Sequence, residues 1–101
     1  MRRAAKVDRN QAEIVEAFRA MGCTVHCTHT LGQGFPDLVV GLLGHNHLIE
    51  VKDWQQPPSK RKLTADEAEW HANWRGQATV VMCVADVEQV VNIWRREWRA
   101  A

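Results

Sequence analysis

With 101 residues, 46% of them hydrophobic and 25% charged, the chain can bury one modest core and has the balance of an ordinary globular domain. A formal net charge of +1 excludes the strongly basic balance of a protein that coats nucleic acid, and no apolar run approaches the ~18 residues of a membrane-spanning helix. Three cysteines, an odd number, argue for reduced thiols rather than a disulfide framework, and the opening MRRAAKVDRN lacks the apolar centre of a signal peptide. A cytosolic protein with a single domain over residues 1–101 is the expectation.

In chain order, Ile14, Val15, Phe18 and Met21 form one stripe on a helix over Gln11 to Met21, with Asn10 as N-cap and Gly22 as stop. Glu13 falls at the third helical position, where a carboxylate commonly caps a helix start. Thr24 to His29 reads as a first strand. Phe35 to Leu43 (FPDLVVGLL) and His47 to Lys52 (HLIEVK) are two further apolar runs, and Gly44-His45-Asn46 between them is turn-like, so a β-hairpin is expected. Thr64 with Glu67 three residues on is a capping box opening a helix to about Arg75, stopped by Gly76, with His71 between Trp70 and Trp74 on its buried stripe. Ala78 to Val84 (ATVVMCV) is almost wholly apolar, the pattern of a central strand. After Asp86 as N-cap, Val87, Val90, Val91, Trp94 and Trp98 line the apolar face of a last helix. The order αβββαβα predicts an α/β fold: a three-stranded antiparallel meander, a crossover to a parallel fourth strand, and a mixed four-stranded sheet flanked by helices.

The chemistry concentrates at Pro36-Asp37 and, after twelve intervening residues, Glu50-Val51-Lys52. Alternation along a strand puts Glu50 and Lys52 on one face, with Ile49 and Val51 on the other. Asp37, at the start of the antiparallel partner, lies opposite the end of that strand, so the three side chains converge on one ion-sized spot. Two carboxylates and a backbone carbonyl, that of Val51, suit a hard divalent cation such as Mg²⁺. Lys52 would hold the attacking water or the phosphate, which is phosphodiester hydrolysis in outline. The plain alternative is a solvated Glu50–Lys52 pair on an edge strand.

Basic residues gather at Arg2, Arg3, Lys6 and Arg9, at Lys60, Arg61 and Lys62, and at Arg95, Arg96 and Arg99. The middle group follows the Gln55 to Pro58 loop that leaves the Lys52 strand, and there it can reach phosphates flanking a scissile bond. Other signals are empty. His45-Asn46-His47 spells the letters of an unrelated nuclease motif inside the expected turn. Cys23 and Cys27, four apart on a strand, stand about 13 Å apart, too far for one zinc ion. Trp54 is either core rim or a base-stacking platform.

Taken with Asn10 to Ile14, Gly34 to Gly41, Ile49 to Asp53, Leu63-Thr64 and Trp74 to Gly76, these residues resemble the PD-(D/E)xK nuclease superfamily, and within it the small phage and bacterial nucleases of the VRR-NUC or Holliday-junction-resolvase-like kind. The resemblance implies a restriction-endonuclease-like core, with Asp37 and Glu50 as metal ligands, Lys52 as the catalytic lysine and Glu13 as an accessory acid. It implies a DNA nuclease dependent on Mg²⁺ or Mn²⁺, acting on branched or duplex DNA. Size and resemblance together imply a homodimer, with Trp94 and Trp98 as candidates for its interface beside their simpler use in the core. The rival readings are a catalytically silent nucleic-acid-binding module of the same fold and a metal-dependent phosphoesterase acting on nucleotides, the latter requiring a closed pocket.

Overall fold

The apolar stripes of the first and last helices meet each other over one face of the sheet. The structure, a computed structural model, describes residues 7–99, so Arg2, Arg3 and Lys6 lie outside the described residues. Its elements are α1 (Gln11–Ala20), β1 (Thr24–Cys27), a 3₁₀ turn (His29–Leu31), β2 (Leu38–Leu42), β3 (His45–Val51), a one-turn α2 (Pro58–Arg61), α3 (Ala65–Asn73), β4 (Ala78–Val81) and α4 (Val84–Arg99). The sheet runs β1-β2-β3-β4, antiparallel twice and then parallel between β3 and β4. The expected order and mixed sheet are therefore present, with α2 and the 3₁₀ turn added.

Three local expectations are corrected. The hairpin turn is Leu43-Gly44, not Gly44-His45-Asn46, because Leu42 pairs with His45 and both intervening residues have positive φ (52° and 81°). That is the two-residue geometry whose twist matches the flanking strands, and it makes His45, Asn46 and His47 the opening of β3. The apolar β4 is an edge strand, since the parallel addition falls on the open side of β3. Asn10 precedes α1 but makes no capping bond; its amide instead donates to the carbonyls of Lys52 (3.1 Å) and Met82 (2.9 Å), tying α1 to the ends of β3 and β4.

The core is made by Ile14, Val15 and Phe18 of α1, Val87, Val91, Trp94 and Trp98 of α4, and the inward positions Leu38, Val40, Ile49, Val51 and Val81. Phe18, Trp94 and Trp98 stack in a row, at 5.9 Å and 5.0 Å between ring centres. His47 lies against Trp94 at 4.6 Å and His45 against Trp98 at 4.5 Å. Trp94 and Trp98 are thus buried inside the protomer, and the candidate interface role for them is withdrawn. Arg95 donates to the Met21 carbonyl at the C-terminal end of α1, where a cation suits the helix dipole.

Burial pushes the His47 imidazole down to about 4 from an ordinary 6.5, while its Nε2 pairs with Thr79 Oγ1 at 2.7 Å. A histidine with a depressed folded-state pKa contributes stability that is whole above about 6.5 and is lost as pH falls through about 4. Urea unfolding across pH 4 to 8 should show the native protein losing up to ~3 kcal/mol more over that window than His47→Leu. Parallel pH profiles would contradict the assignment.

Candidate active site

The register places the chemistry. Leu38 pairs with Ile49, so one step earlier on β2 Asp37 stands directly opposite Glu50. The Asp37 carboxylate accepts the Val51 N–H at 2.8 Å, extending the ladder with a side chain where β2 has ended. Since N–H and C=O of one extended residue point to the same side of a strand, the Val51 carbonyl is directed toward Asp37 as well. Glu50 and Lys52 project from the face opposite the helical core and remain buried, 2% and 7% exposed.

Around them lies a cleft of ≈ 380 Å³ lined by Asp8, His29, the Gly32 to Phe35 loop, Asp37, Glu50, Lys52, Thr64, Asp66 and Glu67. The loop fits tightly over the start of α3: a Cβ on Gly34, at φ 79°, would come within 2.4 Å of the Asp66 carbonyl oxygen. Only glycine meets both demands there. Asp37, Glu50 and Lys52 are brought together in this cleft. Glu13 is exposed on the first turn of α1 and does not line it; Asp8 does.

Glu67 and Asp8 are among the cleft residues that the chain pattern did not single out for the site. Glu67 accepts from the Thr64 N–H (2.8 Å) as the second half of the capping box and from Lys52 Nζ (2.7 Å), so one carboxylate both starts α3 and fixes the lysine. The capping box was visible in sequence; its second use depends on α3 folding over β3. Burial alone would raise the Glu67 carboxyl, but the Lys52 hydrogen bond holds it below the ordinary value. Burial alone would lower Lys52, yet the hydrogen bond and charge of Glu67, with Glu50 and Asp8, raise it. The lysine is therefore a firmly held cation.

Glu50 is pushed up to about 10, first by burial, then by its hydrogen bond to Asp37 and the charges of Asp37 and Glu67, with Lys52 4.0 Å away opposing. Its Oε1 is buried without a hydrogen-bond donor. A buried carboxyl facing a second carboxylate and lacking a donor is a site short of positive charge, and a divalent cation fits it. Among the described residues no group of three or more histidine, cysteine or acidic side chains forms a ready metal cage. Two carboxylates and a carbonyl, with solvent completing the shell, are what Mg²⁺ commonly takes from a protein.

The remaining expected positions are peripheral. Lys60 and Lys62 are exposed and Arg61 is half-buried on and beside α2, between the end of β3 and Thr64. Trp54 is 51% exposed and so does not belong to the core. His71 is half-buried, on a helix with no fully buried residue, because Trp70 and Trp74 pack against Phe35 rather than into the core. The buried stripe expected of α3 is corrected accordingly. Cys23, Cys27 and Cys83 are unbridged.

No protein-family model and no curated protein matches the chain. A solved structure described as a VRR_NUC domain is similar to it, with a TM-score of 0.64 and 28% sequence identity over 88% of this chain and 97% of that one. The resemblance read from the sequence thus has a structural counterpart, and the αβββαβα core with its mixed sheet is shared with that domain.

A carboxyl whose folded-state pKa is raised contributes stability that is whole below the ordinary value and is lost as pH rises toward about 10. Glu50→Gln, which keeps the shape of the protonated acid, should therefore unfold at higher urea than the native protein at pH 8, by roughly 1–3 kcal/mol, and the two should converge near pH 5. Millimolar Mn²⁺ should stabilise the native protein and leave the variant unchanged. Equal responses to Mn²⁺ would remove Glu50 from the metal site.

Proposed function

We propose that this chain is a divalent-metal-dependent nuclease that hydrolyses DNA phosphodiester bonds, with residues 1–101 as its single domain and branched or duplex DNA as its substrate. The observation that carries the reading is the pair of half-buried Asp37 and buried Glu50, short of positive charge beside a held Lys52, in one cleft. The likeness to the VRR_NUC domain supports it.

In this reading Asp37, Glu50 and the Val51 carbonyl hold Mg²⁺ or Mn²⁺, and Glu13 has no part in the ligand set. When bound, the ion supplies charge neutralisation for the phosphate and a coordinated water of lowered pKa. Asp37 keeps its carboxylate oriented by the Val51 N–H, leaving its other oxygen toward the cleft. Lys52, kept protonated by Glu67, orients the attacking water or stabilises the charge that develops on the phosphate oxygens. Lys60, Arg61 and Lys62 then contact flanking phosphates from the rim. We infer that two copies pair so that two clefts serve one substrate, as a two-fold dimer allows.

Lys52→Ala should lose on the order of a hundredfold or more in cleavage rate while Mn²⁺ and DNA still bind, because the ammonium acts chiefly on charge formed during reaction. Arginine should rescue poorly, its planar fork presenting donors differently. In Asp37→Ala the calorimetric Mn²⁺ isotherm should collapse. Cleavage by Lys52→Ala at the native rate would assign the activity elsewhere.

Replacing Lys60, Arg61 and Lys62 together with alanine should weaken DNA binding and flatten its log–log salt dependence by about one unit per lost phosphate contact. An unchanged slope would leave the three as solvated surface.

A further inference from the structure

Beside the cleft lies a second cavity, of ≈ 440 Å³, lined by Gln33, Asp66, Glu69, Trp70, Asn73 and Trp74. Gln33 and Asp66 line both cavities, and Phe35, on the cleft wall, packs edge-on against Trp70 (5.4 Å) and Trp74 (6.5 Å). The two cavities therefore adjoin. Trp70 and Trp74 are stacked at 4.7 Å and 19°, which occupies one face of each, and Trp74 is still 44% exposed. The Trp74 indole is held from behind: a Cβ on Gly76 would fall 2.8 Å from its Nε1, so the ring lies where any larger residue would displace it. Gln33, which joins the two cavities, adopts φ 57°, a conformation rarely taken by a residue with a side chain.

The rim is rich in acceptors. Asp66 and Glu69 contribute carboxylates, and Asn73, whose Nδ2 is engaged by the Glu69 carbonyl at 3.0 Å, keeps its Oδ1 open. Carboxylates repel phosphate, so the backbone of a nucleic acid is not what this cavity takes. A ligand with a π face and a donor-bearing edge is complementary to it, and an exocyclic amino group is the donor that a carboxylate reads on a base.

We propose that this cavity is a base subsite, which takes one unpaired amino-bearing nucleobase from the strand held in the adjoining cleft and disfavours thymine. The proposal rests on the nuclease reading for the location of the strand. It adds a selection by single-strandedness, because a base inside a duplex reaches the cavity only after unstacking, at a cost of a few kcal/mol that a flap, gap or junction avoids.

The test is anisotropy of labelled hexanucleotides in EDTA, where binding is measured without cleavage. dC6 and dA6 should bind the native protein about tenfold more tightly than an abasic hexamer of the same length, with dT6 close to the abasic control. Trp74→Ala should erase that preference and leave abasic binding unchanged. Gly76→Ala, which displaces the indole without removing it, should do the same, and guards against a folding defect in the first variant. Glu69→Ala should narrow the gap between dC6 and dT6. Base-independent affinity in the native protein, equal loss for the abasic hexamer in Trp74→Ala, or no binding of any hexamer would overturn the proposal. Failure of the nuclease reading looks different: no DNA cleaved in Mn²⁺, with the base preference in EDTA intact.

Discussion

The hydrogen bond from the Val51 amide to the Asp37 carboxylate is the contact on which the site depends. Backbone pairing of β2 with β3 begins at Leu38, so at Asp37 the ladder would end with an unmet amide. The side chain meets it instead, which fixes the carboxylate beside Glu50 and draws the two acids together despite their repulsion. A neighbour without that bond would swing away into the cleft. The arrangement holds because the other face of the same residues is in the core: Leu38, Ile49 and Val51 are fully buried under α1 and α4. A one-residue slip would send those three into the cleft and the acids into the core.

Burial of Glu50 and Lys52 has opposite consequences for the two. Lys52 has a hydrogen-bonded partner of opposite charge, Glu67, and is kept as a cation. Glu50 has an acid for its nearest partner and is driven toward the protonated form. Five acids, Asp8, Asp37, Glu50, Asp66 and Glu67, and one lysine line the cleft, a deficit of positive charge that a proton relieves poorly and a divalent cation relieves well. Nearby, Asp53, 1% exposed, shows the contrasting structural solution: Arg9 embraces its carboxylate, with contacts of 3.1 to 3.4 Å. Asp53 has a guanidinium in hydrogen-bond contact, whereas the only cation near Glu50 among the described residues, Lys52, stands 4.0 Å away and is hydrogen-bonded to Glu67 instead, and that difference separates scaffold from site.

Much of this was legible from the chain because it is local. Two-residue alternation placed Glu50 and Lys52 on one face, and the Thr64–Glu67 spacing marked the start of α3. What escaped depends on contacts between distant segments or on a rule overridden by them. Leu43 in a left-handed turn runs against its own preference, and the pairing of apolar positions across β2 and β3 is what imposes it. An apolar β4 reads as central, yet its place at the edge follows from which side of β3 was free. Asn10 has the chemistry of a cap and is used instead to bridge two carbonyls more than forty residues away.

The placement of α3 shows how the two levels interact. Its sequence carries the aromatic spacing of a core helix, but the core layer is already filled by α1 and α4 on the other face of the sheet. The loop over Gly34, with no side chain to hold it off, lets the start of α3 come down on the cleft, where Glu67 reaches Lys52. Trp70 and Trp74 are then carried out over Phe35 rather than into the interior. Indoles of this size left half-exposed on a helix that also anchors the lysine need an explanation other than packing. The same helix thus fixes the Lys52 ammonium through Glu67 at its start and carries stacked aromatic rings at its end, which sets both beside one cleft.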